Sequence, residues 1–178
     1  MVMELGKIRI EVVQGDITKQ DDIACIVNAA NAELQIGGGV AGAIHTAAGE
    51  ELIKETQKLA PIRTGQAVIT GAHNLPNQQI IHTLGPVYGF NQPEMGFLTD
   101  CYKNSLHLAE ENNINSIAFP AISTGAFGYP FEEATDIALS VIKEFSTKAD
   151  SIKLIRFVLF SPSDYEYYVD KLKDFRLI

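Results

Sequence analysis

The sequence predicts an α/β fold in which helices cover both faces of a β-sheet. Strand-like apolar runs alternate along the chain with segments of helical periodicity, which is the pattern typical of such folds. One run, "ACIVNAA" at 24–30, is almost continuously apolar, as expected for a strand buried at the centre of a sheet. The length of 178 residues and the hydrophobic content of 46% are sufficient for one domain with a sizeable core. We therefore expect residues 1–178 to form a single domain.

The first half of the chain contains four predicted strands and two helices. "KIRIEVVQGD" alternates apolar and polar residues and then breaks at Gly15, which predicts a strand and a turn. After "ACIVNAA", the small side chains of "VAGAIHTAAG" suit a helix packed closely on a sheet. "EELIKETQKLA" has helical periodicity that stops before Pro61. "QAVITGA" and "QIIHTLGP" are two further strands, joined by "HNLPN", which has the composition of a turn.

The second half continues the alternation. "EMGFLTDCYKNSLHLAEENN" is a long amphipathic helix pattern, and "NSIAFPA" is a strand that stops at Pro120. "FEEATDIALSVIKEFSTK" is predicted as a helix because Pro130 precedes it and two glutamates complement the dipole of its first turn. "IKLIRFVLF" is the last strand and "SDYEYYVDKLKDF" the last helix, with Ser163 expected as the N-cap.

Composition and charge exclude several classes of function. The formal net charge is −8 and the 14 lysines and arginines are scattered, so we expect neither a nucleic-acid nor a membrane partner. No apolar run approaches the roughly 18 residues of a membrane span, and the first residues do not resemble a signal peptide. Cys25 and Cys101 have no Cys-x-x-Cys partner, so we expect reduced thiols in a cytoplasmic protein and no metal site.

Two glycine-containing loops are candidates for binding an anion. "NAANAELQIGGGVAGAIHTAAG" contains Gly37-x-Gly39-x-x-Gly42, and "STGAFGYP" begins at Ser123. Glycines allow backbone N–H groups to approach a phosphate, and a following helix N-terminus adds partial positive charge. No lysine or arginine occurs between Lys19 and Lys54, or between Lys103 and Lys143. We therefore expect N–H dipoles alone to hold the anion, which suits a diphosphate between the two loops.

Two other interpretations of the glycines remain open. The spacing matches a dinucleotide-binding fingerprint, but about six residues separate the predicted strand from the first glycine, and no acidic residue ends a strand some 20 positions later. An NAD-dependent oxidoreductase is therefore the weaker hypothesis. The glycines could also serve only as tight turns, although two such loops at one sheet edge favour a binding site.

Five ordered segments resemble the macrodomain family of ADP-ribose binders. They are "GDIT", "IVNAAN", "GGGVAGAIH", "IHTLGP" and "IAFPAISTGAFGYP", and together they run through nearly the whole chain. The resemblance implies a three-layer α/β/α sandwich around a central mixed β-sheet. It also implies ADP-ribose, free or attached to a protein, as the partner, with no cofactor.

The resemblance implies a role for each site residue. Asp16 would accept the adenine amino group beside the Ile17 backbone, and Phe160 would stack on adenine. Asn31 would bond to the distal ribose, whereas Asn28 would brace the loop. His45 and His82 are expected to be structural. The diphosphate loops would be Gly38, Gly39, Val40 and Ala41, and Ser123, Thr124, Gly125, Ala126 and Phe127, the last packing on the distal ribose.

The sequence leaves the choice between enzyme and binding module open. One branch of the family carries an aspartate after "GGGV" that is associated with hydrolysis, and this chain has Ala41 there. We favour an enzyme that hydrolyses ADP-ribosyl esters without a metal, either on acidic side chains of proteins or in O-acetyl-ADP-ribose. Asn31 and Gly38 are its candidate catalytic positions, because orientation of the ribose alone supplies several kcal/mol. The alternative is a non-catalytic ADP-ribose-binding module.

Overall fold

A computed structural model describes residues 1–175 and contains a seven-stranded mixed sheet with five α-helices. The strands are β1 (Val2–Leu5), β2 (Ile8–Gln14), β3 (Cys25–Ala29), β4 (Ala67–Gly71), β5 (Gln79–Thr83), β6 (Ser116–Phe119) and β7 (Leu154–Leu159). The helices are α1 (Gly39–Ala48), α2 (Glu50–Thr56), α3 (Glu94–Glu111), α4 (Phe131–Ser146) and α5 (Pro162–Phe175), with one 3₁₀ turn at Ile17–Lys19. The three-layer α/β/α fold implied by the resemblance is confirmed.

The sheet order is β1-β2-β7-β6-β3-β5-β4. The two outer pairs, β1 with β2 and β4 with β5, are antiparallel, whereas the inner pairs are parallel. The carboxyl ends of β2, β7, β6, β3 and β5 therefore lie along one edge of the sheet. Loops at such an edge are the usual ligand-binding region of an open α/β sheet.

Alternation of side chains along the inner strands produces two separate cores. Val27 of β3 and Phe157 of β7 belong to the larger core, which α3, α4 and α5 cover. Their sequence neighbours Ile26 and Val158 point to the other face of the sheet and pack with α1 and α2 in the second core. Because neighbouring residues of a strand point to opposite faces, a strand buried on both sides is predominantly apolar. This explains why β3 is apolar except for the buried Asn28.

The N-terminal strand differs from the prediction. The sequence indicated one strand from Lys7, whereas Val2–Leu5 forms an additional antiparallel strand on β2. The turn between the two strands contains Gly6 at a φ of +61°, a left-handed conformation that favours glycine. Among the described residues, no helix has both the length and the apolar character needed to cross a membrane.

Candidate functional site

The two glycine loops lie next to each other and line one cavity. The first loop follows β3 and the second follows β6, and these two strands are neighbours in the sheet. The cavity has a volume of about 310 Å³. Its lining consists of Ala29, Ala30, Asn31, Gly37, Gly38, Gly39, Val40, Ala41, Ala121, Ser123, Gly125, Ala126 and Phe127. None of these side chains carries a charge.

Both loops present free backbone amides. Helix α1 begins at Gly39 with Gly38 as its N-cap, and the N–H groups of Gly39, Val40 and Ala41 have no partner among residues 1–175. In the second loop, the N–H groups of Gly125, Ala126 and Phe127 are likewise without a partner in that range. The free N–H groups of the two loops are hydrogen-bond donors in the cavity wall, and such donors suit an anion.

Close backbone approach explains two of the glycines. A Cβ atom at Gly42 would lie 2.5 Å from the carbonyl oxygen of Gly37, so only glycine allows α1 to pack under the first loop. A Cβ atom at Gly85 would lie 2.0 Å from the Ser123 hydroxyl oxygen. Ser123 has a φ of +65°, and its buried Oγ has no partner among the described residues. Gly85 therefore gives the second loop the space in which Ser123 adopts this conformation.

Asn31 is held by its own loop. Its Nδ2 donates to the carbonyl oxygen of Gln35 at 2.9 Å, and its Oδ1 accepts from the N–H of Gln35 at 3.0 Å. A primary amide has two N–H groups and two acceptor positions, so one of each is left over. Asn31 therefore has a fixed orientation at the cavity wall and retains a donor and an acceptor.

Three of the predicted contacts lie at the other end of the sheet edge. Asp16 follows β2 and Phe160 follows β7, and these strands pair with Gln14 opposite Leu159. Oδ1 of Asp16 accepts from both the N–H and the hydroxyl of Thr18, and this bonding lowers the pKa of the Asp16 carboxyl group. Its Oδ2 and the N–H of Ile17 have no partner among the described residues.

Phe160 is 87% exposed and belongs to none of the described hydrophobic clusters. Phe160 is therefore not a residue of the hydrophobic core. Asp16, Ile17, Thr124 and Phe160 are the predicted site residues that do not line the cavity. The Thr124 hydroxyl donates to the carbonyl oxygen of Ala121 at 2.8 Å, so its proton is already used within the loop.

Close to the first loop lies a cluster of buried polar side chains, which includes both histidines that were predicted to be structural. Nδ1 of His82 is 3.0 Å from Nδ2 of Asn28, and Nε2 of His82 is 2.8 Å from the Thr70 hydroxyl. Asn28 therefore bonds to the neighbouring strand and not, as expected from the sequence, to its own loop. Burial lowers the pKa of His82 to about 3 and also lowers that of His45, whose ring nitrogens are buried without partners among the described residues.

Three small residues at this edge were not predicted from the sequence. Ala29, Ala30 and Ala121 form part of the cavity wall, and small apolar residues carry no chemical signal of binding. Their position directly after β3 and β6 was the available indication. No group of three or more His, Cys, Asp or Glu residues in the described part of the chain is arranged to hold a metal ion.

Comparison with known proteins identifies the family. The macro domain model matches residues 27–138. "Macro domain-containing protein TTE0995" of Caldanaerobacter subterraneus is 48% identical over 167 residues, which cover 91% of this chain and 94% of that protein. An O-acetyl-ADP-ribose deacetylase of Klebsiella pneumoniae is 47% identical, with 89% and 93% covered. The ADP-ribose glycohydrolase MACROD2 of Xenopus laevis is 45% identical, and the match spans 94% of this chain but 40% of that protein.

Solved structures agree with the sequence relatives. An Oceanobacillus iheyensis macrodomain with ADP superposes with a TM-score of 0.94 at 43% identity, covering 98% of this chain and 95% of that one. A Trypanosoma brucei macrodomain in complex with ADP-ribose has a TM-score of 0.85 at 36% identity, covering 92% and 68%. On both sequence and structure, the chain belongs to the macro domain family.

Proposed function

We propose that this protein binds ADP-ribose and hydrolyses ADP-ribosyl esters, either on acidic side chains of proteins or in O-acetyl-ADP-ribose. The observation that carries the proposal is the single cavity between two loops with unpartnered amides. Relatives at 45–47% identity are named as an ADP-ribose glycohydrolase and an O-acetyl-ADP-ribose deacetylase. The two cysteines are free and buried. This agrees with the cytoplasm, a reducing compartment, which we propose as the location of the protein.

The proposed ligand would extend along the sheet edge. Adenine would lie at Asp16 and Phe160, because a carboxylate oxygen accepts from an exocyclic amine and an exposed aromatic ring offers a stacking face. From β2 to β3 there are three strand spacings, or about 14 Å. The diphosphate would occupy the cavity between these ends, and the distal ribose would lie at Asn31 and Phe127.

Hydrolysis would depend on orientation. The amides of Gly38 and Gly39 and the spare donor and acceptor of Asn31 would fix the distal ribose, while a phosphate oxygen of the ligand positions a water molecule near C1″. On a modified acidic side chain, the water oxygen forms a bond to C1″ as the bond from C1″ to the ester oxygen breaks. The carboxylate leaves with the electron pair, and the water proton passes to solvent. A carboxylate is a good leaving group, so this step does not need a strong general acid.

The alternative is a non-catalytic ADP-ribose-binding module, and Ala41 is the observation that favours it. This residue lines the cavity at the position where one branch of the family carries an aspartate, and it supplies no acid or base. Glu33 is the carboxylate nearest to the loop in sequence and its side chain is exposed.

Turnover decides between these two functions. Excess protein is incubated with a protein that carries mono-ADP-ribose on glutamate and, separately, with O-acetyl-ADP-ribose, and the released ADP-ribose is quantified. We expect release from at least one substrate, and a marked loss of turnover in Asn31→Ala. Binding of ADP-ribose without release from either substrate would establish the binding module instead. Tighter binding of intact NAD than of ADP-ribose would favour an oxidoreductase.

A further inference from the structure

The exposed apolar residues beside the cavity form a surface that the bound nucleotide would not use. Phe90 is 81% exposed, Ile36 56% and Tyr88 42%. None of the three belongs to the cavity lining itself, and Ile36 directly precedes Gly37 of that lining. Phe90 belongs to none of the described hydrophobic clusters. We call these three residues the outer rim. Exposed apolar side chains that flank a site are typical of an interaction surface.

The position of the outer rim follows from the sheet order. Tyr88 and Phe90 lie in the loop after β5, and β5 is the neighbour of β3 on the side away from β6. The N–H of Tyr88 donates to the carbonyl oxygen of Phe127 at 2.9 Å. Phe90 is two residues further along, which is at most about 7 Å of chain. Ile36 directly precedes the glycines of the first loop. The outer rim therefore continues the cavity wall beyond its proposed ribose end.

Phe90 is held in place by a closed turn. The carbonyl oxygen of Val87 accepts from the N–H groups of Phe90 and Asn91, and Oδ1 of Asn91 accepts from the N–H of Val87 at 2.8 Å. Gly89 has a φ of +75°, and its N–H donates to Oε1 of Glu94. The Tyr88 ring packs edge-on against Tyr129, with the ring centroids 5.0 Å apart. Such a turn presents Phe90 at a low entropic cost of ordering on binding.

We propose that the outer rim binds the polypeptide of an ADP-ribosylated protein, on an apolar side chain next to the modified acidic residue. This inference rests on the proposed function. An acetyl group on the distal ribose is too small to span the rim, whereas a modified polypeptide must leave the cavity at this end. Aromatic residues in such positions commonly carry a large share of the binding energy. The outer rim thus selects protein substrates over O-acetyl-ADP-ribose.

The test compares two substrates in matched variants. Phe90→Ser and Ile36→Ser are assayed beside Val2→Ser, a control that removes an exposed apolar residue from the opposite edge of the sheet. On a peptide with leucine beside an ADP-ribosylated glutamate, we expect kcat/KM to fall about tenfold in Phe90→Ser and to stay unchanged in the control. Turnover of O-acetyl-ADP-ribose and the Kd for ADP-ribose should remain within about twofold of the wild type in all variants. A peptide with serine instead of leucine should be insensitive to Phe90→Ser.

An equal loss on both substrates, or no loss on the leucine peptide, would overturn the proposal. If the wild type hydrolyses neither substrate, the proposed enzymatic function fails and the outer rim is tested by binding alone. In that case the leucine peptide carrying ADP-ribose should bind more tightly than free ADP-ribose, and Phe90→Ser should remove the difference. Equal affinity of the wild type for the peptide and the free nucleotide would refute the outer rim as a docking surface.

Discussion

At the scale of single residues, glycines decide where backbone and ligand can come close. Gly42 and Gly85 are required by the fold, because an added Cβ atom would collide with Gly37 or Ser123. Gly38 and Gly125 are different, since an added Cβ atom would meet nothing within 4 Å. The open space at these two positions lies in the wall of the cavity, so it is available to a ligand. The sequence alone does not distinguish these two kinds of glycine.

Gly125→Glu should abolish ADP-ribose binding without unfolding the protein. The backbone at this position leaves room for a side chain, whereas a glutamate would fill the cavity and place a negative charge beside the diphosphate. Calorimetry with ADP-ribose measures the effect, and the thermal midpoint checks the fold. Gly125→Gln separates volume from charge and should bind more strongly than Gly125→Glu. Wild-type affinity in Gly125→Glu would show that the second loop is not the diphosphate site.

His82 should make the protein less stable in mild acid. Burial lowers its pKa to about 3, whereas an exposed histidine in the unfolded chain has a pKa near 6.5. Below pH 6.5 the unfolded chain binds a proton that the folded protein does not. The contribution of neutral His82 to the free energy of unfolding is therefore fully present above pH 6.5 and is lost as the pH falls toward 3. We expect a loss of roughly 1 kcal/mol at pH 5.5 relative to pH 7.5 from this residue, with His45 acting in the same direction.

Urea unfolding of the wild type and of His82→Gln at the two pH values tests this expectation. The glutamine keeps a donor and an acceptor near Asn28 and Thr70 but does not titrate. His82→Gln should therefore be less sensitive to pH than the wild type, whatever its stability at pH 7.5. The same pH dependence in both proteins would show that His82 is not the responsible group.

At the scale of elements, one buried arginine connects the sheet to the proposed adenine end. Arg156 of β7 is paired with Glu11 of β2 and with Asp22, each at 2.6 Å. It also donates to Oε1 of Gln20 at 2.9 Å, and Nε2 of Gln20 donates to the carbonyl oxygen of Asp16 at 2.8 Å. The turn that carries Asp16 is therefore braced from beneath by a charged network that spans two strands.

Arg156→Met should destabilise the fold by about 3 kcal/mol, because it leaves the buried Glu11 carboxylate with a weaker set of partners. Arg9 remains paired with Glu11 at 3.0 Å, which keeps the loss at the lower end of the usual range. Arg9→Met is the matched control, since Arg9 is half-exposed and should contribute less than about 1 kcal/mol. Urea unfolding measures both variants. An equal loss of unfolding free energy in the two variants would show that the burial of Arg156 does not increase its contribution to stability.

The helices show where local sequence signals were sufficient. Helix α4 begins at Phe131, directly after Pro130 as predicted. The cap of α5 was placed wrongly at Ser163, because the helix begins at Pro162 and the Ser161 hydroxyl accepts from the N–H of Asp164. Two serines flank one proline, and the sequence gives no signal that distinguishes them. Proline is favoured at the first position of a helix, which is the rule that applies here.

At the scale of the whole molecule, the sequence predicted the layers of the fold but not the order of its strands. Periodicity along each segment is a local property, whereas the adjacency of β3 and β6 depends on long-range pairing across about 90 residues of chain. That adjacency brings the two glycine loops together. The outer rim was missed for the same reason, since Tyr88 and Ile36 approach the cavity only through β5 and β3. Local chemistry predicted the two glycine loops, the resemblance to the macrodomain family implied the other candidate residues, and topology brings them to one edge.

The whole-molecule charge leads to a prediction about salt. The protein carries a formal charge of −8, and no charged side chain lines the cavity. Binding of ADP-ribose by N–H dipoles involves no ion pair that salt would screen, while the net charge weakly repels the diphosphate. We therefore expect the Kd for ADP-ribose to change by less than about twofold between 0.05 and 0.5 M NaCl, with any change toward tighter binding.

Ala126→Lys is the matched comparison for this prediction, because Ala126 is exposed and lines the cavity. The added ammonium group should tighten binding at 0.05 M NaCl and make it sensitive to salt, as expected for an ion pair near the surface. Calorimetry of both proteins at the two salt concentrations measures the difference. If wild-type binding weakened tenfold at 0.5 M NaCl, a cationic side chain would have to contact the diphosphate, and neutral amides would not be sufficient to hold it.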